Sequence, residues 1–188
     1  MSKFLFVHIP KTGGTSIKRT LDVMSSDHWR REEKNIHHDT INELLEKNTI
    51  SLHTKIFSVV RNPFERTVSY YHHFNRLHRC NISFETFLNI IENKIKTVKT
   101  PKIIYTQSYY VTDKFNSVIV DNIFKYEQFD EIEKFLGAQT YHLNDGQYDK
   151  KNALSLYTEN TISKVLEIYN DDFVNFNYSK NIADAYRV

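Results

Sequence analysis

The spacing of apolar and polar positions divides the chain into short buried strands and amphipathic helices. Residues 3–9 (KFLFVHI) are aromatic and β-branched and stop at Pro10, which predicts a buried strand. From Thr15 onward, Ile17, Leu21 and Met24 fall on one helical face. Residues 25–38 are polar and read as loop. A short helix should begin at Asp39 or Thr40, with Ile41, Leu44 and Leu45 facing inward. Residues 56–60 (IFSVV) predict a second buried strand. Asn62, Pro63 and Glu65 then supply an N-cap, a first-position proline and a capping-box partner for the next helix. A helix from Ser83 gathers Phe84, Phe87, Leu88, Ile91 and Ile95 on one face. Residues 117–126 predict one or two further strands, and 128–136 a helix closed by Gly137. A last helix spans 158–173, with Ile162, Val165, Leu166 and Tyr169 inward.

Strands alternating with helices predict an α/β fold, with a small, mainly parallel central sheet and helices on both faces. Ligands of such sheets bind beyond the C-terminal strand ends. No repeat, low-complexity tract or Gly/Ser linker interrupts the 188 residues, so one domain over 1–188 is expected, large enough to bury a core without disulfides or metals. The aromatic share of 14%, with 12 Tyr and 13 Phe, predicts aromatic core and pocket walls. A formal charge of +2, with no Lys/Arg stripe or zinc-finger spacing, argues against a nucleic-acid partner. The single Cys80 excludes an internal disulfide and any multi-cysteine metal site. The run Phe4-Leu5-Phe6-Val7 is too short for a signal-peptide core or a membrane span, so a soluble, cytoplasmic chain is expected.

Two segments carry candidate chemistry, each between a predicted strand and a predicted helix. In Pro10-Lys11-Thr12-Gly13-Gly14-Thr15-Ser16 the glycines let the backbone approach an anion. The N–H groups of Gly14, Thr15 and Ser16 would face that anion from a helix N-terminus, Lys11 would add charge, and the hydroxyls would add donors. Lys precedes the glycines, unlike the GxxxxGK[ST] loop of nucleotide triphosphatases. A tight turn with an exposed Lys is the alternative reading of this segment alone. In Arg61 through Ser69, Arg61 can fork onto a second anion, and Ser69 lies about two helical turns further on. Arg66 reads as a structural salt-bridge residue. Two anion sites suggest a ligand with two separated phosphate groups.

HIPKTGGTSI (8–17) and FSVVRNPFERTVSYY (57–71) resemble the 5′-phosphosulfate loop and the 3′-phosphate strand and helix of the sulfotransferases. The likeness is to the branch of carbohydrate enzymes of the heparan 2-O and chondroitin type. It continues weakly through 120–137 and 157–179, whereas 18–55 and 72–117 match poorly. The resemblance implies a P-loop-like three-layer α/β/α fold. It implies 3′-phosphoadenosine 5′-phosphosulfate as donor, 3′,5′-phosphoadenosine as product, no required metal, and an acceptor hydroxyl on a carbohydrate. Lys11 would meet the charge on the leaving 5′-phosphate oxygen. Lys11, Thr12, Gly13, Gly14, Thr15 and Ser16 would hold the 5′-phosphosulfate, and Arg61 and Ser69 the 3′-phosphate. The Asp149-Lys150-Lys151-Asn152 loop stands where many members close a basic loop over that phosphate; a solvated lysine pair is its other reading.

A hydroxyl acceptor also needs a base, for which histidine suits neutral pH. Of nine histidines, His37 and His38 lie where relatives place theirs. His38-x-Thr40 resembles a pattern of short members, so His38 is the expected base, with His37 in reserve. His8 is expected to pack beside the loop. Gln107, Ser108 and the Tyr105, Tyr109 and Tyr110 cluster are candidates for core or acceptor-pocket wall. Two other readings remain open: a P-loop kinase-like nucleotide enzyme, and a non-catalytic phosphoadenosine- or glycan-binding module.

Overall fold

The computed structural model describes residues 3–24, 38–47, 54–96, 105–141 and 150–186. Residues 25–37 of the predicted 25–38 loop, His37 within them, and Asp149 lie outside the described residues. The chain forms two compact units, one of residues 1–61 and 107–145 and one of 62–106 and 146–188. Each draws on two separate segments, so no linker marks them in the sequence. Among the described residues no helix is long and apolar enough to cross a membrane.

The first unit is built on a three-stranded parallel sheet in the order β1 (Lys3–Val7), β2 (Thr54–Val60), β3 (Asn122–Lys125). Helix α1 (Gly14–Met24) follows β1, and α2 (Ile41–Glu46) precedes β2. The β2 residues Ile56 through Val60 are all buried, the continuous apolar run expected of a central parallel strand. Phe6, Ile17, Leu21, Phe57, Val59, Ile132 and Leu136 form the core of this unit. Ser58, buried on the opposite face of β2, satisfies its hydroxyl by donating to the Val7 carbonyl at 2.7 Å. The pairing register matters most. Val7 faces Ser58 and Val60 faces Lys125. Continued past the strand ends, this register brings Pro10 level with Arg61, and Arg61 level with Tyr126.

In the second unit, α3 (Pro63–His78) and α4 (Phe84–Lys96) supply Phe64, Val68, Tyr71, Phe87, Leu88 and Ile91 to a shared core. The first unit resumes with α5 (Gln107–Val111), β3 and α6 (Phe129–Leu136), which Gly137 closes in the left-handed conformation. Then α7 (Lys150–Ala153), α8 (Glu159–Ile168), α9 (Asn170–Asn175) and α10 (Ile182–Ala185) return to the second unit.

Several expectations need correction. Leu45 is 45% exposed instead of facing inward; Ile41 and Leu44 bury the face of a helix too short for a third inward position. The Asn62 side chain caps the Phe64 N–H, one residue earlier than a capping box requires. Residues 117–126, expected to give one or two strands, give β3 alone, preceded by an isolated antiparallel bridge between Thr112 and Val118. The expected Lys150–Lys151 loop is a helical turn. The predicted last helix breaks at Tyr169, whose φ of −112° and ψ of 25° leave the helical range. The break lets Tyr169 and Asp172, both buried, turn into the core together.

Arg66 lies close to Tyr169. It is 4% exposed, donates from Nη2 to the Tyr105 carbonyl at 3.0 Å, and lies 5.8 Å from the centre of the Tyr169 ring. Burial pushes the Tyr169 hydroxyl up to about 12, with Arg66 pulling it down and Asp172 pushing it up. Arg66 is thus held within the second unit by a backbone carbonyl and an aromatic ring. Removing the guanidinium takes a donor from the Tyr105 carbonyl and a cation from the Tyr169 ring. Arg66→Ala should destabilise the protein by about 1–3 kcal/mol in urea unfolding, as loss of a buried charged donor predicts, and Arg66→Lys should restore only part because it lacks the planar fork. A loss below about 1 kcal/mol would show that Arg66 is not the centre of this network.

Candidate active site

The first unit brings three predicted site elements to the C-terminal ends of its strands. After β1, the chain turns into α1 through two residues of positive φ, Lys11 at 70° and Gly13 at 80°. Glycine adopts this region freely, whereas for Lys11 it costs on the order of 1–2 kcal/mol that the surrounding turn must sustain. Thr12 is fully buried and donates its hydroxyl proton to the Ile9 carbonyl at 2.9 Å, closing the turn from inside. The Ser16 N–H donates to the Gly13 carbonyl at 3.0 Å, and the Ile17 N–H reaches the same oxygen at 3.4 Å. The expected anion donors therefore divide. The Ser16 N–H serves the helix. The N–H groups of Gly14 and Thr15, first in α1, have no acceptor that helix geometry can provide and stand at the positive end of an 11-residue helix.

Arg61 emerges from the end of β2 and is held twice. Its N–H donates to the Gln107 Oε1 at 2.8 Å, and its carbonyl accepts from the Gln107 Nε2 at 2.9 Å. A main-chain N–H can only donate and a carbonyl only accept, so this pair also fixes the orientation of the fully buried amide. The guanidinium carbon lies 4.5 Å from the centre of the Tyr126 ring, as the strand register requires. Gln107 is thus a clamp on Arg61, a role beyond the pocket wall that its sequence position suggested.

His38 is placed by the helix start that follows it. Thr40 caps α2 through a reciprocal capping box with Glu43, and Asp39 pairs with Lys47 at 2.7 Å. Asn42 donates to the Thr112 carbonyl at 2.9 Å and ties α2 to the end of α5. The His38-x-Thr40 spacing therefore has a mechanical meaning, since the threonine fixes the backbone two residues after the imidazole. His38 Nδ1 lies 3.1 Å from the His8 carbonyl. That oxygen can only accept, so Nδ1 carries the proton and Nε2 of the neutral ring keeps its lone pair. The His8 and His38 rings stand 4.5 Å apart at 47°.

Of the other expected residues, Thr15 is exposed, Lys11 half-buried and Ser16 buried. Ser69 is half-buried on α3 in the second unit, and Lys150 and Lys151 open α7 there. Three neighbours hold roles that neither motif assigns: the His8 carbonyl, Gln107 and Tyr126. Strand register could have signalled Tyr126. Nothing in the sequence signals the Gln107 clamp.

Gly14 has a particular reason to be glycine: a Cβ there would overlap the His8 ring. Gly14→Ala should therefore destabilise the protein by about 1–3 kcal/mol through overpacking. Removing the imidazole in His8→Ala/Gly14→Ala should return much of that loss, giving a non-additive cycle in thermal unfolding. Additive losses would contradict the contact.

The model of the sulfotransferase family matches residues 1–179. No curated protein matches the chain. Among solved structures, the crystal structure of a sulfotransferase from Alicyclobacillus acidocaldarius is similar, with a TM-score of 0.56 and 16% identity over 100% of this chain and 99% of that one. At that identity the likeness speaks for the shared α/β fold. The family match takes in both candidate segments and nearly all of the sequence around them: the chain belongs to the sulfotransferase family, whose members move sulfuryl groups to acceptors.

Proposed function

We propose that the protein transfers a sulfuryl group from 3′-phosphoadenosine 5′-phosphosulfate to an acceptor hydroxyl. The observation that carries this reading is the register of β1 and β2, which sets the glycine turn and Arg61 side by side at adjacent strand ends. Two cationic sites so arranged suit a nucleotide with separated phosphate groups. The Gly14 and Thr15 N–H groups hold the 5′ end on the positive end of α1. Lys11 meets the charge that develops on the phosphate oxygen as its bond to sulfur breaks. Arg61, its backbone clamped by Gln107, forks onto the 3′-phosphate. Ser69, Lys150 and Lys151 keep their expected part in holding that phosphate through the family resemblance alone.

His38 is the proposed base, with His37 the alternative. Its Nε2 lone pair takes the acceptor proton as the acceptor oxygen bonds to sulfur, and the His8 carbonyl bond stabilises the resulting imidazolium. Catalysis of this kind rests on positioning and preorganised charge. For the acceptor we propose a carbohydrate hydroxyl, because the two motifs are similar to the carbohydrate branch of the family.

Calorimetry should show metal-independent binding of 3′,5′-phosphoadenosine that weakens at least tenfold in Arg61→Ala, consistent with loss of a charge-assisted pair. Folded wild-type protein that does not bind the nucleotide would end the reading. Lys11→Ala should lower turnover by about 10²–10³-fold with a smaller loss of nucleotide affinity. His38→Ala should lower turnover by roughly 10²–10⁴-fold and leave nucleotide affinity nearly intact. The wild-type rate should rise with pH as the imidazole loses its proton. If His37→Ala loses activity while His38→Ala keeps it, the base is His37. Turnover with phenols but no saccharide would move the acceptor to another class.

A further inference from the structure

The structure carries a feature of the nucleotide site that neither motif contains. Tyr126 is the first residue beyond β3, and strand register brings it level with Arg61. Its ring face lies 4.5 Å from the guanidinium carbon. Its ring edge would be only 2.9 Å from a Cβ on residue 13. Phe129 meets the Tyr126 ring edge-to-face, with centroids 5.5 Å apart at 82°. The ring is therefore gripped between the glycine turn of one anion site and the arginine of the other, with Phe129 against its side. All these groups belong to the first unit.

We propose that Tyr126 is a positioning residue for the donor nucleotide: its face holds the Arg61 guanidinium, and its edge sets the distance from Arg61 to the glycine turn. This rests on the reading of Arg61 as the 3′-phosphate residue. A cation against an aromatic face fixes the plane in which the guanidinium presents its N–H fork. A long side chain otherwise has many rotamers, and freezing it on binding costs affinity. Gly13 acquires a second function as well. Besides permitting a φ of 80°, it leaves room for the ring that orients Arg61.

The test compares binding of 3′,5′-phosphoadenosine with adenosine 5′-phosphate, which lacks the 3′ group. The ratio of the two affinities in calorimetry reads the contacts to the 3′-phosphate, and its change in Arg61→Ala isolates the share of Arg61. Tyr126→Phe keeps the ring and should hold the ratio within about twofold of wild type. Tyr126→Leu removes the face and should lower the ratio by about 2- to 30-fold, as loss of a cation–π contact predicts. In the Arg61→Ala background, Tyr126→Leu should change the ratio no further. A merely structural role would weaken both nucleotides alike and leave the ratio unchanged, and that result would overturn the proposal. Should Tyr126→Leu fail to fold, phenylalanines of increasing ring fluorination at position 126 keep the shape while weakening the negative face. The ratio should then fall stepwise, and a flat series would overturn the proposal. Wild-type protein that binds neither nucleotide would remove the donor reading and this inference with it. Wild type that prefers the 3′,5′ nucleotide, with that preference untouched in every Tyr126 variant, would remove this inference alone.

Discussion

The in-register parallel pairing of β1, β2 and β3 is the constraint on which the site depends. Parallel strands send all their C-terminal ends to one edge, and each end here delivers something different: the glycine turn into α1, Arg61, and Tyr126. Adjacent strands lie about 4.8 Å apart, so no side chain has to reach far. The buried run of β2 secures the arrangement. Shifting it by one residue would turn Phe57 and Val59 off their core and move Arg61 out of line with both neighbours.

Around that edge, the polar groups are fixed by the backbone more than by each other. Thr12 bonds to the Ile9 carbonyl, Gln107 to both main-chain groups of Arg61, and His38 to the His8 carbonyl. Backbone partners cannot titrate or rotate away, so each side chain has one orientation, and for His38 one tautomer. This is electrostatic preorganisation in concrete form: the cost of aligning dipoles and protons is met in folding, before any ligand arrives. The positive φ of Lys11 belongs to the same pattern, a conformation unfavourable in isolation that the closed turn maintains.

Much of this was legible in the sequence because it rests on local rules. KFLFVHI and IFSVV announce buried strands, and Pro63 after Asn62 announces a helix start; all three form where expected. Gly137 closes α6 as its position predicts. What stayed hidden depends on residues far apart in the chain. Gln107 lies 46 positions from the Arg61 it clamps, in a stretch without a motif. The break at Tyr169 interrupts a sound helical period because Tyr169 and Asp172 bury together near Arg66, a tertiary demand that overrides propensity. Leu45 shows the reverse error, an apolar residue assigned to the core on a helix with too few turns to bury it.

The account is tested most directly by a crystal structure of the protein with 3′,5′-phosphoadenosine bound. The 5′-phosphate should accept hydrogen bonds from the Gly14 and Thr15 N–H groups, within about 3 Å. The 3′-phosphate should take both branches of the Arg61 fork, with the guanidinium still resting on Tyr126. A nucleotide bound with neither phosphate at these strand ends would contradict the central claim, however well the fold agreed.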